Sequence, residues 1–101
     1  MSEYYDRQGR PIEDLLTWGR MLGDLKYKRV AETTLPDGTW VSTVWLGIDH
    51  SFGNDGPPLI FESMVFNSKA DMDERDCERY ATEAEAITGH EQLVEKWMNT
   101  T

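Results

Sequence analysis

The chain has 101 residues, a formal net charge of −9 and a single cysteine. This length suits one small domain, and 39% apolar with 11% aromatic residues can supply a buried core. One cysteine excludes an internal disulfide framework, and the acidic balance argues against nucleic-acid binding through a basic surface. With no secretory signal at the start and no apolar run of membrane-spanning length, we expect a cytoplasmic protein that does not bind membranes.

The first predicted element is a helix over about residues 12–22. Pro11 suits a first helical turn, and Glu13 and Asp14 complement the positive end of the helix dipole. The apolar residues at helical spacing predict the buried face, which consists of Leu15, Trp18, Leu22 and Leu25. Gly23 is expected to end the helix.

Three strands are predicted next, over residues 29–35, 40–48 and 59–66. The sequence Pro-Asp-Gly at 36–38 is a strong turn signal and joins the first two strands as a hairpin. The second strand carries large apolar side chains on both faces, which indicates a central strand in which Val44 is buried.

The last third predicts a polar loop over 67–76, a short fourth strand over 77–81 and a C-terminal helix. Thr82 and Glu85 fit a capping box at the start of that helix, which runs to about Trp97. Its inward stripe is Ala86, His90, Leu93 and Trp97, flanked by Ile87 and Val94. The whole chain, residues 1–101, therefore predicts one α+β domain: a small antiparallel sheet of three to four strands with an N-terminal and a C-terminal helix packed on it.

The loop between the second and third strands holds the residues best suited to proton transfer, Asp49 and His50. Histidine titrates near neutral pH, and an adjacent carboxylate can stabilise its charged form. Neighbouring strand residues point to opposite faces, however, so both side chains also suit turn residues that bind backbone groups. Glu62 completes this alternative site, or else lies outward in a cross-strand pair.

A metal site is not expected, and neither is a cofactor. His50, Cys77 and His90 are the zinc-type ligands, but their long spacings contain no paired motif. We expect His90 on the inner side of the last helix and Cys77 as a small buried group. Under the leading hypothesis, given below, no residue is expected to be catalytic.

Partner binding is expected at an exposed aromatic and a cluster of acids. Trp40 lies beside the hairpin turn and is expected to be partly exposed, whereas the other three tryptophans, Trp18, Trp45 and Trp97, are expected in the core. The densest acidic cluster is Asp71, Asp73, Glu74 and Asp76. Either these acids are a solvated surface, or they bind a partner with a basic, nucleic-acid-binding surface.

Four sequence blocks carry a resemblance over most of the chain. They are YYDRQG at 4–9, VSTVWLGIDH at 41–50, GPPLIFESMVF at 56–66 and ERYATEAEA at 78–86. In these blocks the chain resembles small uncharacterised proteins of actinobacterial phages and prophages. The resemblance implies a phage or prophage origin and a place of action in the host cell, and it brings no catalytic residue or cofactor with it.

Three functions remain open at this point. The first is a non-enzymatic phage accessory protein that binds a host protein, with an anti-defence inhibitor of the anti-CRISPR type as one form. The second is a small enzyme or ligand-binding domain that uses the Asp49/His50 loop, and the third is a phage structural or assembly protein. Homodimerisation is left open as well, and a pull-down from host lysate separates the first hypothesis from the others.

Overall fold

The structure is a computed structural model that describes residues 4–49 and 56–98. Its elements in chain order are β1 (Tyr4–Tyr5), β2 (Pro11–Ile12), α1 (Leu15–Gly23), α2 (Leu25–Lys28), β3 (Arg29–Thr34), β4 (Trp40–Trp45), β5 (Phe61–Phe66), β6 (Glu74–Tyr80) and α3 (Glu83–Met98). The predicted α+β class with helices at both ends is confirmed. No described helix is both long enough and apolar enough to cross a membrane.

The main sheet is antiparallel, with its four strands in the order β3-β4-β5-β6. The predicted hairpin between β3 and β4 is confirmed, and its turn closes with the Gly38 N–H donating to the Leu35 carbonyl at 2.9 Å. Gly38 has φ +94°, a left-handed conformation that glycine adopts without strain. β4 pairs on both sides and is therefore an interior strand, as its apolar sequence predicts.

One face of the sheet is closed by α3 and the N-terminal elements. The alternate residues of β4 and β5 on that face are all fully buried, namely Val41, Thr43, Trp45, Phe61, Ser63 and Val65. Against them pack helical side chains, among them Trp18, Met21, Leu22, Tyr27, Ala86, Leu93, Val94 and Trp97. The core is thus a single layer between this face of the sheet and the helices.

The predicted helix start at residue 12 is wrong. Pro11 and Ile12 instead form β2, which pairs antiparallel with β1. The helix begins after Asp14, whose carboxylate accepts a hydrogen bond from the Leu16 N–H at 3.1 Å and caps the first turn. Gly23 is the last residue of α1, as predicted.

The predicted buried face of that helix is only half right. Trp18 and Leu22 pack on the core cluster around Trp45, and the Trp18 indole N–H donates to the Leu46 carbonyl at 3.1 Å. The other two residues are exposed: Leu15 is 55% and Leu25 is 58% accessible. The buried side of α1 consists of Trp18, Met21 and Leu22, and Leu15 lies at the edge of this side as the first residue of the helix.

The strand ends differ from the predicted ones by a few residues. β4 stops at Trp45, because Gly47 has φ +73° and turns the chain; Ile48 forms only an isolated bridge with Tyr4. β5 begins at Phe61 where residue 59 was expected. The fourth strand starts at Glu74, so the predicted loop over 67–76 is too long.

The last helix is capped by Thr82. The Glu85 N–H donates to the Thr82 hydroxyl at 3.1 Å, and that hydroxyl donates to the Glu85 carboxylate at 3.0 Å. The predicted inward stripe is confirmed, since Ala86, His90 and Leu93 are buried. Of the two residues expected to flank the stripe, Val94 packs on the same core cluster as Leu93, whereas Ile87 is 43% accessible.

Candidate functional site

The second face of the main sheet is the candidate site, and we call it the open face. Antiparallel pairing arranges its residues in three cross-strand rows, namely Thr34, Trp40, Phe66 and Glu74; Glu32, Ser42, Met64 and Cys77; and Arg29, Val44, Glu62 and Arg79. The helical side chains of both core clusters lie on the other face. Within residues 4–49 and 56–98, therefore, no helix covers this side of the sheet.

Trp40 is the central feature of the open face. Its ring stacks on the ring of Phe66, its neighbour in the row, with centroids 5.4 Å apart and planes at 29°. Its indole N–H donates to a Glu32 carboxylate oxygen at 3.0 Å, and the Lys69 ammonium lies 6.0 Å from the ring centroid. Trp40 is partly exposed yet fixed by these three neighbours, as a rigid anchor requires.

Glu32 holds the charged groups around Trp40 in place. Its carboxylate forms ion pairs with Lys69 and with Arg29, both at 3.0 Å. The hydrogen bond from Lys69, followed by those from Trp40 and the charge of Arg29, lowers the pKa of Glu32. Glu32 is therefore ionised at neutral pH, and the rim next to Trp40 carries both signs of charge.

The alternative site residues do not form a cluster in the described part of the chain. Glu62 belongs to the open face and accepts a hydrogen bond from Arg79 of the neighbouring strand at 3.1 Å. Asp49 accepts a hydrogen bond from the Leu59 N–H at 3.0 Å, which joins the two ends of the intervening loop. His50 lies outside the described residues, so chemistry in this loop stays a prediction.

The predicted acidic cluster is divided between the two sides of the sheet. Asp76 lies on the α3 side, where its carboxylate accepts from Lys96 at 2.8 Å and from the Trp97 indole N–H at 3.1 Å. The Lys96 hydrogen bond lowers the pKa of Asp76. Glu74, in contrast, shares a row with Trp40, because the register shifts beside it in β6.

Asp71 has a structural position in the loop before β6. Its carboxylate accepts from the Asn67 side-chain amide at 3.0 Å and from the Asp73 N–H at 3.2 Å. The exposed carboxylates of Asp73 and Glu74 form no ion pair within the described residues. Glu74 is therefore the member of the cluster that shares a row with Trp40, and Asp73 is exposed just before it.

A buried polar network lies on the opposite face, between α3 and the sheet. The two ring nitrogens of His90 bind the hydroxyls of Thr33 at 2.9 Å and Thr43 at 2.7 Å, and Thr43 in turn binds Ser63. Burial lowers the pKa of His90. The network joins α3 to three strands, and we interpret it as a device that fixes the position of the helix.

Cys77 and His90 are separated by the sheet. Cys77 is on the open face, whereas His90 is under α3, so the two do not share a metal ion. Burial raises the pKa of the Cys77 thiol to about 11, which keeps it protonated and weakly nucleophilic at neutral pH. No cluster of three metal-ligating side chains occurs in the described ranges.

A depression of about 380 Å³ lies between the turn after β1 and the start of α3. Its one basic side chain, Arg7, already pairs with Glu83 at 2.7 Å and donates to the Tyr27 carbonyl at 3.0 Å. These bonds connect the N-terminal segment to α2 and α3, which indicates a role for Arg7 in packing.

The sequence predicts Trp40 and Glu74 as binding residues, but it does not indicate which residues surround them. Phe66, Glu32 and Lys69 become neighbours of Trp40 through strand pairing and the loop after β5. No family model matches the chain, and no curated protein and no solved structure is significantly similar to it. The function is therefore inferred from the chemistry of the open face.

Proposed function

We propose that the protein is a non-enzymatic binding protein that docks a partner protein through the open face. The observation that carries this proposal is the fixed, partly exposed Trp40, which is stacked on Phe66 and surrounded by charged side chains. Tryptophan is among the residues that contribute most to protein interfaces, because a rigid ring buries a large area at low entropic cost.

The layout of the open face supports a protein partner. The two interior strands contribute Trp40, Ser42 and Val44 from β4 and Glu62, Met64 and Phe66 from β5, so four of the six central side chains are apolar; Phe66 is 8% exposed and supports Trp40 from beneath. The charged side chains around the apolar ones are Arg29, Glu32, Glu62, Lys69, Glu74 and Arg79. An apolar centre with a polar rim is the usual anatomy of a protein interface, whereas small ligands prefer concave pockets.

The charge of the chain favours a partner with basic groups. Residues 56–98 contain ten acidic side chains and four basic ones. Glu74 places negative charge in the same row as Trp40, and the exposed Asp73 precedes it; neither has an ion-pair partner in the described part of the chain. A basic side chain of the partner would contact these carboxylates, and the Trp40 ring already has one cation near its face.

The resemblance to phage and prophage proteins supports a host protein as the partner. Small phage accessory proteins of this size commonly act by binding and blocking or redirecting a host protein, and an anti-defence inhibitor is one form of that activity. We propose this role by analogy. The charge of the chain supports one part of the proposal, namely that the partner has a basic surface.

The test is a pull-down from an actinobacterial host lysate with the wild-type chain and three variants. Trp40→Ala removes the anchor, and Met64→Glu places a charge in the apolar middle of the open face. Ile87→Glu is the matched control, because Ile87 is an exposed apolar side chain of α3, which packs on the opposite face of the sheet. All variants are first compared with the wild type by thermal unfolding.

We expect the wild type and Ile87→Glu to capture a protein that the two open-face variants, Trp40→Ala and Met64→Glu, do not capture. We expect Trp40→Ala to weaken the interaction by about 2 kcal/mol or more, the range of interface hot spots. A captured protein that binds all four chains equally would contradict docking through this face.

A further inference from the structure

β6 is an edge strand of the main sheet. It pairs with β5 on one side, and no strand in the described part of the chain pairs with its other side. Its regular part runs from Asp76 to Tyr80, opposite Val65 to Phe61 of β5. Alternate backbone N–H and C=O groups of such a strand point away from the sheet. β6 therefore offers a row of backbone hydrogen-bonding groups to a further strand.

A groove lies beside this edge, between β6 and α3. Gly89 of α3 lies against Tyr80 at the end of β6. Lys96, further along the helix, donates to Asp76 near the start of the strand at 2.8 Å. The helix thus runs back along β6, and two depressions of about 400 and 290 Å³ lie between the two elements.

The two depressions form one continuous groove, because Tyr80, Gly89 and Gln92 line both of them. We call it the β6–α3 groove. A Cβ built on Gly89 would clash with the Tyr80 ring, so this ring rests directly on the backbone of the helix. The other side chains that line the groove are Glu78, Ala84, Glu85, Thr88, Leu93 and Lys96.

We propose that the β6–α3 groove binds an extended basic segment of a partner protein, which adds to β6 as a further strand of the main sheet. This site is independent of docking through the open face. In strand addition, backbone hydrogen bonds supply affinity, and pockets for alternate side chains supply specificity. Glu78 and Tyr80 lie about 6.8 Å apart along the strand, so two alternate side chains of the added segment reach the two depressions.

The charges of the groove favour a basic segment. Glu78 and Glu85 are exposed in its lining, and neither forms an ion pair within residues 4–49 and 56–98. The basic side chain in the lining, Lys96, already pairs with Asp76. A Lys or Arg opposite Glu78 forms a favourable cross-strand pair, whereas an acidic segment is repelled. The net charge of −9 likewise disfavours a second copy of the chain as the occupant.

Selection from a library of short random peptides, with the full chain as the target, tests this inference and supplies a probe. Peptides that also bind the Gln92→Trp variant are removed first, because the larger side chain fills the groove. We expect the remaining peptides to carry Lys or Arg at alternate positions, with β-branched or aromatic residues and without proline between them. Enrichment of acidic or proline-rich peptides, or no enrichment at all, would overturn the proposal.

Fluorescence anisotropy with an enriched peptide then locates the site. Glu78→Lys should weaken binding about tenfold or more, because a cross-strand attraction becomes a repulsion. Glu91→Lys changes the net charge equally and should leave binding unchanged, since Glu91 lines neither depression. Trp40→Ala should also leave it unchanged, because Trp40 belongs to the open face. Equal losses with the two lysine variants, or a loss with Trp40→Ala, would contradict the assignment to the groove.

Methylation of the peptide's backbone nitrogens tests strand addition itself. Only alternate N–H groups of an added strand point toward β6. N-methylation of one alternate set of residues should therefore abolish binding, and N-methylation of the intervening set should be tolerated. If both sets have the same effect, the peptide does not bind as a strand and the proposal is wrong.

Discussion

Gly47 determines how the N-terminal segment meets the sheet. It has φ +73°, and a Cβ on it would clash with Trp45 Cζ2 and lie 2.6 Å from Trp18 Nε1. The Tyr5 N–H donates to the Gly47 carbonyl at 2.8 Å. The two tryptophans and β1 therefore approach one another at a position where no side chain fits.

We expect Gly47→Ala to destabilise the domain by about 3 kcal/mol, from overpacking together with left-handed strain. Gly38→Ala is the matched control, because Gly38 has φ +94° but no atom near its Cβ position. It should cost only the strain, about 1 kcal/mol. Urea unfolding of both variants measures the difference, and equal costs would show that the two tryptophans do not need this space.

His90 should make stability depend on pH. Burial lowers its pKa in the folded chain from the ordinary 6.5, so the unfolded chain binds the proton first. The free energy of unfolding should then be constant above about pH 7 and fall below about pH 6.5 by up to ~1.4 kcal/mol per pH unit. Urea titrations between pH 5.5 and 7.5 measure this slope.

The control for that slope is His90→Gln, which keeps hydrogen-bonding atoms near the two threonines and does not titrate. This variant should be less stable at every pH and should show a shallower dependence over the same window. Identical slopes for the two chains would place the titrating group elsewhere.

At the scale of elements, the two faces of β4 differ in burial. Val41 is fully buried beneath α3 with Val65 and Leu93, whereas Val44 is only partly buried on the open face. The sequence pattern predicts burial on both sides of this strand. That prediction is wrong for Val44, because the helices pack on one face only.

The difference predicts opposite outcomes for two equivalent substitutions. Val41→Asp should unfold the domain, since an unpaired buried charge costs several kcal/mol. Val44→Asp should fold, because its carboxylate remains near solvent and pairs in register with Arg29. Circular dichroism melts of the two variants provide the measurement, and the reverse order of stability would contradict the assignment of the faces.

The sequence predicts the elements that carry local signals. The Pro-Asp-Gly turn, the β-branched strands and the Thr82 cap are all found near their predicted positions. The predicted fourth strand is shorter than β6. Edge strands carry charged residues on both sides, so a segment such as Glu74 to Arg79 resembles a loop in the sequence. The predicted start of the first helix is wrong because Pro11 pairs with Tyr5, a contact that no local sequence pattern reveals.

At the scale of the whole molecule, the candidate site is a product of strand register. Trp40 and Phe66 are 26 positions apart in the sequence, and cross-strand pairing makes them neighbours. The acids of the predicted cluster are adjacent in sequence, yet the register shift in β6 sends Glu74 and Asp76 to opposite faces. Spacing alone identified the residue types and could not show which of them share a surface.

The same arrangement determines which acids we expect to contact the proposed partner. Reversing the charges of Asp73 and Glu74 should slow association with a basic partner and make binding less sensitive to salt. Reversing Glu91 and Glu95 on the outer side of α3 changes the net charge equally and is the control. Surface plasmon resonance at low and moderate salt distinguishes the two pairs, and equal effects would mean that only net charge matters.

The central claim is that the open face docks a host protein, and site-specific photo-crosslinking tests it most directly. A photoreactive amino acid is placed at Met64 on the open face or at Ile87 on α3, and each chain is irradiated in host cells. We expect one defined adduct from position 64, lost when Trp40→Ala is added, and none from position 87. An adduct that forms only from position 87, or one from position 64 that persists without Trp40, would contradict the claim.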